Sequence, residues 1–208
     1  MDLIKEFNFN YWIELGFAFS IFFVAFIYKI ISGLKIRNKI LFTDNWTIHS
    51  NIHECLTELR VLSDAARTQV IQFHNGEYFM DGVSMRKLSC THESVSKGVS
   101  AQGDKTTNML ISLFAPLIEK ITKDSPEPHL VKEDSEGFSK HSMETANVHC
   151  YCVLPIKHKN SISGFIITEW CSPTKAKQVI NNPDDIKRYI TTTRNQIEIY
   201  LDEQGRNK

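Results

Sequence analysis

The stretch from Tyr11 to Leu34, YWIELGFAFSIFFVAFIYKIISGL, constrains this chain more than any other. Its strictly uncharged part runs only from Leu15 to Tyr28, which alone suits a buried helix better than a membrane span. The flanks decide otherwise. Glu14 and Lys29 stand at the two ends, and a lysine there can reach the headgroups along its own apolar stem. A helix over 11–34 would be about 36 Å long at about 1.5 Å per residue, enough to cross a bilayer core. Tyr11, Trp12 and Tyr28 fall where interfacial aromatics belong. A cleaved signal peptide would need a basic start and an A-x-A-like site, and neither is present. A core helix would have to be apolar all round and still sit at a charged junction. The expectation is a transmembrane helix over 11–34 behind a short tail over 1–10.

Lys35, Arg37 and Lys39 follow this segment, against Asp2, Lys5 and Glu6 before it. The positive-inside rule then places the C-terminal part in the cytoplasm. The expected location is a single pass through the inner or plasma membrane, with the lipid bilayer as one partner. Cys55, Cys90, Cys150, Cys152 and Cys171 are odd in number and form no disulfide framework, which agrees with a reducing compartment. With 24 basic and 24 acidic residues the formal net charge is zero, which argues against a nucleic-acid partner.

A connecting helix is expected over 35–66, because no proline or glycine interrupts it before Arg67. Leu34, Leu41, Ile48, Ile52, Cys55, Leu59, Leu62 and Ala66 fall on one seam, broken by Asn38 and Asn45. This spacing fits a parallel homodimer through the connecting helix, with the asparagines fixing register. It fits equally an amphipathic helix lying on its own domain's sheet.

The remaining chain reads as strand, strand, helices, strand, strand, helix. RTQVIQFHNG (67–76) is a strand closing on an Asn-Gly turn signal, and Met85 to His92 is a second strand beyond an Asp81-Gly82 turn. Asp104 can cap a helix in which Leu110, Phe114, Leu117 and Ile121 share a face, kinked at Pro116. Lys123 to Gly137 is polar and acidic with two prolines, hence a surface loop or lid, and a short helix follows near 140–145. HCYCVLPIK and ISGFIITEW form a hairpin of apolar strands. Asn182 and Pro183 open a last helix, with Ile186, Ile190, Ile197 and Leu201 on its apolar face. Helices grouped on one face of an antiparallel sheet make an α+β domain.

The entry helix, the strand TQVIQFHNG, the segment CYCVLPIKHKNSISGFIITEW and the closing helix together resemble a GAF domain, within the wider GAF/PAS sensory group. The resemblance covers about residues 45–203, with the domain itself over 67–203 and a tail over 204–208. It implies a cupped sheet holding a small molecule beneath helices and loops, and dimerisation through the first and last helices. The Asn-Lys-Phe-Asp-Glu set of cyclic-nucleotide-binding members is not matched. The ligand or cofactor is therefore unknown. No output domain follows, so the signal would pass to a separate protein partner. Membrane-anchored chains this short with a lone sensor-like domain also occur in bacteriophage genomes.

The candidate ligand site is His74, Asn75, Tyr78 and Phe79 at the first turn, with Ser89, Cys90 and Thr91 on the next strand. Aromatic walls with a few polar groups are the general recipe for a small-molecule site. Equally, Tyr78 and Phe79 would cap the sheet while His74 serves a turn carbonyl. Cys90 with His92 and Cys150 with Cys152 alternate along strands, so each pair would share a face. Were those strands neighbours, the four residues could hold zinc or act as redox thiols, but their spacing is not C-x(2–4)-C and buried cysteine is common. No metal site and no catalytic residue is assigned. The expected function is a non-enzymatic sensory or regulatory module binding a ligand or a protein. The alternatives are a structural or interaction protein without ligand, and a thiol-based enzyme.

Overall fold

The computed structural model describes residues 3–78, 84–158 and 160–206. The chain divides into two compact units, Met1–Trp46 and Thr47–Lys208. In the first unit the described chain is entirely the early part of helix α1 (Leu3–Leu62). Its described side chains are exposed and apolar in a long run, from Phe17 at 72% to Tyr28 at 73%. Among the described residues, no helix is long and apolar enough to cross a membrane. Several side chains of the expected span, those of Tyr11 and Trp12 among them, lie outside the described set.

The second unit is built on one six-stranded antiparallel sheet of order β3-β2-β1-β6-β5-β4. The strands are β1 (Arg67–Tyr78), β2 (Ser84–Val95), β3 (Met109–Leu110), β4 (Pro128–Leu130), β5 (Cys150–His158) and β6 (Ser161–Trp170). The helices beyond α1 are α2 (Ala115–Ile121), α3 (Phe138–Thr145), α4 (Pro173–Asn181) and α5 (Asp184–Arg206).

Helices cover both faces of this sheet, where the sequence suggested one. The cause is visible in β5, where every residue from Cys150 to Ile156 is buried. A strand with consecutive buried positions needs a layer on each side. On one face, Val70, Cys152, Leu154 and Ile166 pack with Ile52, Leu56 and Leu59 of α1, Val179 of α4 and Ile190 and Ile197 of α5. On the other, Ile71, Leu88, Val153, Phe165 and Ile167 pack with Leu117 and Ile121 of α2 and Met143 of α3.

The seam of α1 therefore takes the second of its two courses over this stretch. Ile48, Ile52, Cys55 and Leu59 bury in their own domain's core, while Leu62 stays exposed. Each fully buried isoleucine or leucine stabilises the docking by roughly 1.5–3 kcal/mol. Polar contacts fix the position. Thr68 Oγ1 donates to the Leu56 carbonyl at 2.9 Å, and Trp170 Nε1 donates to the Ser63 carbonyl at 3.0 Å. Arg60 donates to Ser94 Oγ and Ser96 Oγ at 3.1 and 2.9 Å.

Five further readings are corrected. Asn75 and Gly76 lie inside β1, which continues to Tyr78 because β2 pairs with it down to Ser84. At Gly76 a Cβ would stand 2.6 Å from the Met85 carbonyl oxygen, so the glycine serves a close strand approach. The helix expected from Asp104 is instead a short 3-10 turn, strand β3, a second 3-10 turn and then α2. Pro116 sits in the first turn of α2, where its missing N–H costs nothing, and not at a kink. The 123–137 stretch carries β4, and α4 precedes the last helix, with Asn182 closing α4. The Asp81-Gly82 turn lies outside the described residues.

One irregularity sets the faces of β2. Val70 pairs with His92, but Ile71 pairs with Cys90, so Thr91 is an extra residue in the ladder. His92 and Ser94 point toward α1, whereas Cys90 and Leu88 pack toward α2. Cys90 and His92 thus stand on opposite faces, contrary to simple alternation.

Candidate functional site

A cleft of about 480 Å³ opens where β1, β2 and β6 meet α2. β1 supplies Phe73, His74 and Asn75, and β2 supplies Arg86, directly opposite Asn75 in the ladder. Ile118, Ile121 and Thr122 come from the end of α2, Ile111 from the turn after β3, and Ser161 and Ile162 from the start of β6. The apolar residues are here because β1 and α2 enclose the second core, and the cleft is the open end of that core.

His74 is held on both ring nitrogens. Its Nε2 lies 2.9 Å from Ser89 Oγ, and its Nδ1 lies 3.3 Å from the Asn75 carbonyl oxygen. The Asn108 N–H donates to Ser89 Oγ at 2.8 Å, which leaves the serine hydrogen free to point at Nε2. The ring can thus accept at Nε2 and donate from Nδ1 to the backbone.

The residues read from sequence divide accordingly. His74 and Asn75 line the cleft, and Ser89 stands behind His74. Cys90 and Thr91 do not line it. The Cys90 thiol donates to the His92 carbonyl at 3.4 Å, and Thr91 Oγ1 donates to the Val70 carbonyl at 3.4 Å. Burial and the Glu93 charge push the Cys90 thiol up to about 12, which removes it as a nucleophile near neutral pH. Phe79 and the side chain of Tyr78 lie outside the described residues. Arg86 and the α2 and β6 residues escaped the sequence reading. Only Arg86 left a signal there, since pairing Asn75 across the strand leads to it.

The four-residue zinc or redox arrangement does not form. β1 and β6 separate β2 from β5, and Cys90 and His92 face apart. Among the described residues no group of three or more metal-ligating side chains comes together. Cys150 and Cys152 are core residues, and burial pushes the Cys150 thiol up to about 12.

Behind the cleft, the interior under α2 and α3 is filled. Arg67 Nε donates to Glu169 at 2.6 Å, and Glu93 accepts from Gln69 Nε2 at 2.8 Å and from the N–H groups of Gln102 and Gly103 at 2.8 and 3.0 Å. Burial raises the Glu169 pKa against the opposing pull of Arg67. The void left beside this network is only about 40 Å³. Nearby, the Tyr151 hydroxyl donates to Asp134 at 2.7 Å and accepts from Lys120 at 2.7 Å, which ties α2 and the 3-10 turn Val131–Glu133 to β5.

No protein-family model matches this sequence, and no curated protein matches it. Among solved structures, the chain is similar to the phycoerythrobilin-bound GAF domain from a cyanobacterial phytochrome. The TM-score is 0.52 at 10% identity, covering 81% of this chain and 96% of that one. It is also similar to the blue-light absorbing form of the PixJ GAF domain of Thermosynechococcus elongatus. There the TM-score is 0.48 at 12% identity, covering 78% of this chain and 92% of that one. The fold is α+β and GAF-like.

Proposed function

We propose that this chain is a membrane-anchored GAF-like sensory module, non-enzymatic, that binds a small molecule and passes its state to a protein partner. The observation that carries this reading is the cleft at the open end of the second core. Its volume of about 480 Å³ falls in the usual range of small-molecule sites, roughly 300–1,000 Å³. The exposed uncharged run from Phe17 to Tyr28 supports an anchor, and Lys35, Arg37 and Lys39 support a cytoplasmic domain. A homodimer would use the apolar side chains that remain outside the core, Val61 and Leu62 of α1 and Ile199 of α5. The bilin of the phytochrome neighbour is not carried over, because a likeness at 10% identity conveys fold and not ligand.

Native mass spectrometry of the full chain, released from nanodiscs, tests the binding claim. A retained small molecule that is lost on Ile118→Trp, which fills the cleft, is the expected result. The second reading is an interaction protein that binds no ligand, favoured by the filled interior under α2 and α3. A bare mass in every preparation, with tight capture of one membrane partner, would establish that reading instead. Release into the soluble fraction by alkaline carbonate alone would refute the anchor.

A further inference from the structure

The cleft has a one-sided charge. Among the described residues its lining holds Phe73, Ile111, Ile118, Ile121 and Ile162, the neutral polar residues Asn75, Thr122 and Ser161, and His74 and Arg86, with no aspartate or glutamate. Arg86 is exposed at the rim and, among the described residues, makes no hydrogen bond or ion pair. It differs in this from Arg60, Arg67, Arg188 and Arg194, each of which holds an oxygen acceptor. A guanidinium without an acceptor beside an apolar wall leaves a planar two-donor fork unused.

We propose that this cleft takes a small amphipathic monocarboxylate, its apolar body lying on Ile118, Ile121, Ile162 and Phe73 and its carboxylate forked by Arg86. The inference rests on the ligand-binding reading above and narrows it to a chemical class. Single charge follows from the lining. Among the described lining residues one guanidinium faces the cleft, and both nitrogens of His74 already have partners. A phosphate dianion would want a second cation or a cradle of backbone N–H groups, and the helix end in the lining is the C-terminal end of α2, which presents carbonyls. The Thr122 and Ser161 hydroxyls at the same mouth already donate to the Glu119 and His158 carbonyls, at 2.7 and 2.8 Å, so the carboxylate relies on the fork of Arg86.

The test uses the full chain in nanodiscs with isoleucine methyl labels, reading the Ile118 and Ile162 resonances as octanoate, octanol or octyl phosphate is added. Octanoate should shift both methyls at saturation and bind more tightly than octanol. Arg86→Gln should weaken octanoate roughly 10- to 100-fold, the range of a lost charge-assisted hydrogen bond, and erase its advantage over octanol. Arg86→Lys should recover part of the loss. Equal binding of octanol and octanoate, or indifference to Arg86→Gln, overturns the carboxylate class while leaving a ligand-binding cleft intact. Tighter binding of octyl phosphate overturns the single-charge argument. Unmoved methyls with all probes, in protein whose mass also shows no ligand, overturn both the class and the site. Arg86 is exposed and has no partner among the described residues, so the folded state should survive its replacement; unchanged methyl dispersion confirms this.

Discussion

Mild acid should loosen the docking of α1 on β2 before it disturbs the rest of the domain. His49 Nδ1 of α1 lies 2.8 Å from His92 Nε2, and the two rings stack at 5.0 Å between centroids. One proton fits between two nitrogens so placed; a proton on each would set two donors against one another. His92 also lies 3.0 Å from Thr91 Oγ1 through its other nitrogen. Burial, then His49 and His53 of α1, pull the His92 pKa from 6.5 down to about 4, and no carboxylate opposes them. A base whose folded pKa is depressed contributes its full stability above about pH 6.5 and loses it as pH falls toward about 4. At 1.36 kcal/mol per pKa unit, the ceiling is about 3.4 kcal/mol for this shift. His92 is partly open to solvent, so screening brings the expected loss to about 1–2 kcal/mol. Hydrogen exchange over residues 47–58 of the full chain, corrected for intrinsic rates, should show protection falling between pH 7.5 and pH 5. In His49→Gln the amide can accept from a protonated His92 while burial remains, so the fall in protection should shrink in that window, and His92→Gln, which removes the titrating group, should flatten it. An equal pH slope in the native chain and both variants would refute the reasoning.

Two further outcomes concern the sheet. A Cβ at Gly164 would meet the Ile71 carbonyl oxygen at 2.2 Å and the Gln72 Cα at 3.0 Å, both backbone atoms in the paired strand. Gly164→Ala should therefore cost about 1–3 kcal/mol, read as a lowered thermal midpoint by circular dichroism. Arg67→Met leaves Glu169 buried without its partner and should cost about 3–5 kcal/mol in denaturant unfolding, whereas Arg67→Met with Glu169→Leu should recover most of it.

The parts legible in the sequence were those where one residue pattern has one physical solution. The runs CYCVLPI and GFIITEW could only be interior strands, and Pro183 with two aspartates could only open a helix. The α1 seam was ambiguous because a coiled coil and a helix on a sheet need nearly the same spacing of apolar positions. Strands β3 and β4 are two and three residues long, too short to show a period. Helix α4 buries only Ala176 and Val179 and begins three residues after Trp170. At the site, His74 and Asn75 were visible because they are local. Ile118 and Ile162 reach the cleft only through the folding of α2 and β6 against β1, and no local pattern carries that.

The extra residue Thr91 acts like a frame shift in a strand. Before it, even-numbered residues of β2 serve the α2 face; after it, even-numbered residues serve α1. Deleting Thr91 would leave each half chemically intact but assign one of them the wrong audience. Leu88 would turn toward α1, or His92 and Ser94 would turn toward the buried glutamates. Length in β2 is consequently less tolerant of change than residue identity, and a lost or gained residue there should be harder to accommodate than most substitutions. The same strand carries Arg86 at the cleft and His92 beneath α1, so the count between them keeps the cleft end and the helix end on their own sides.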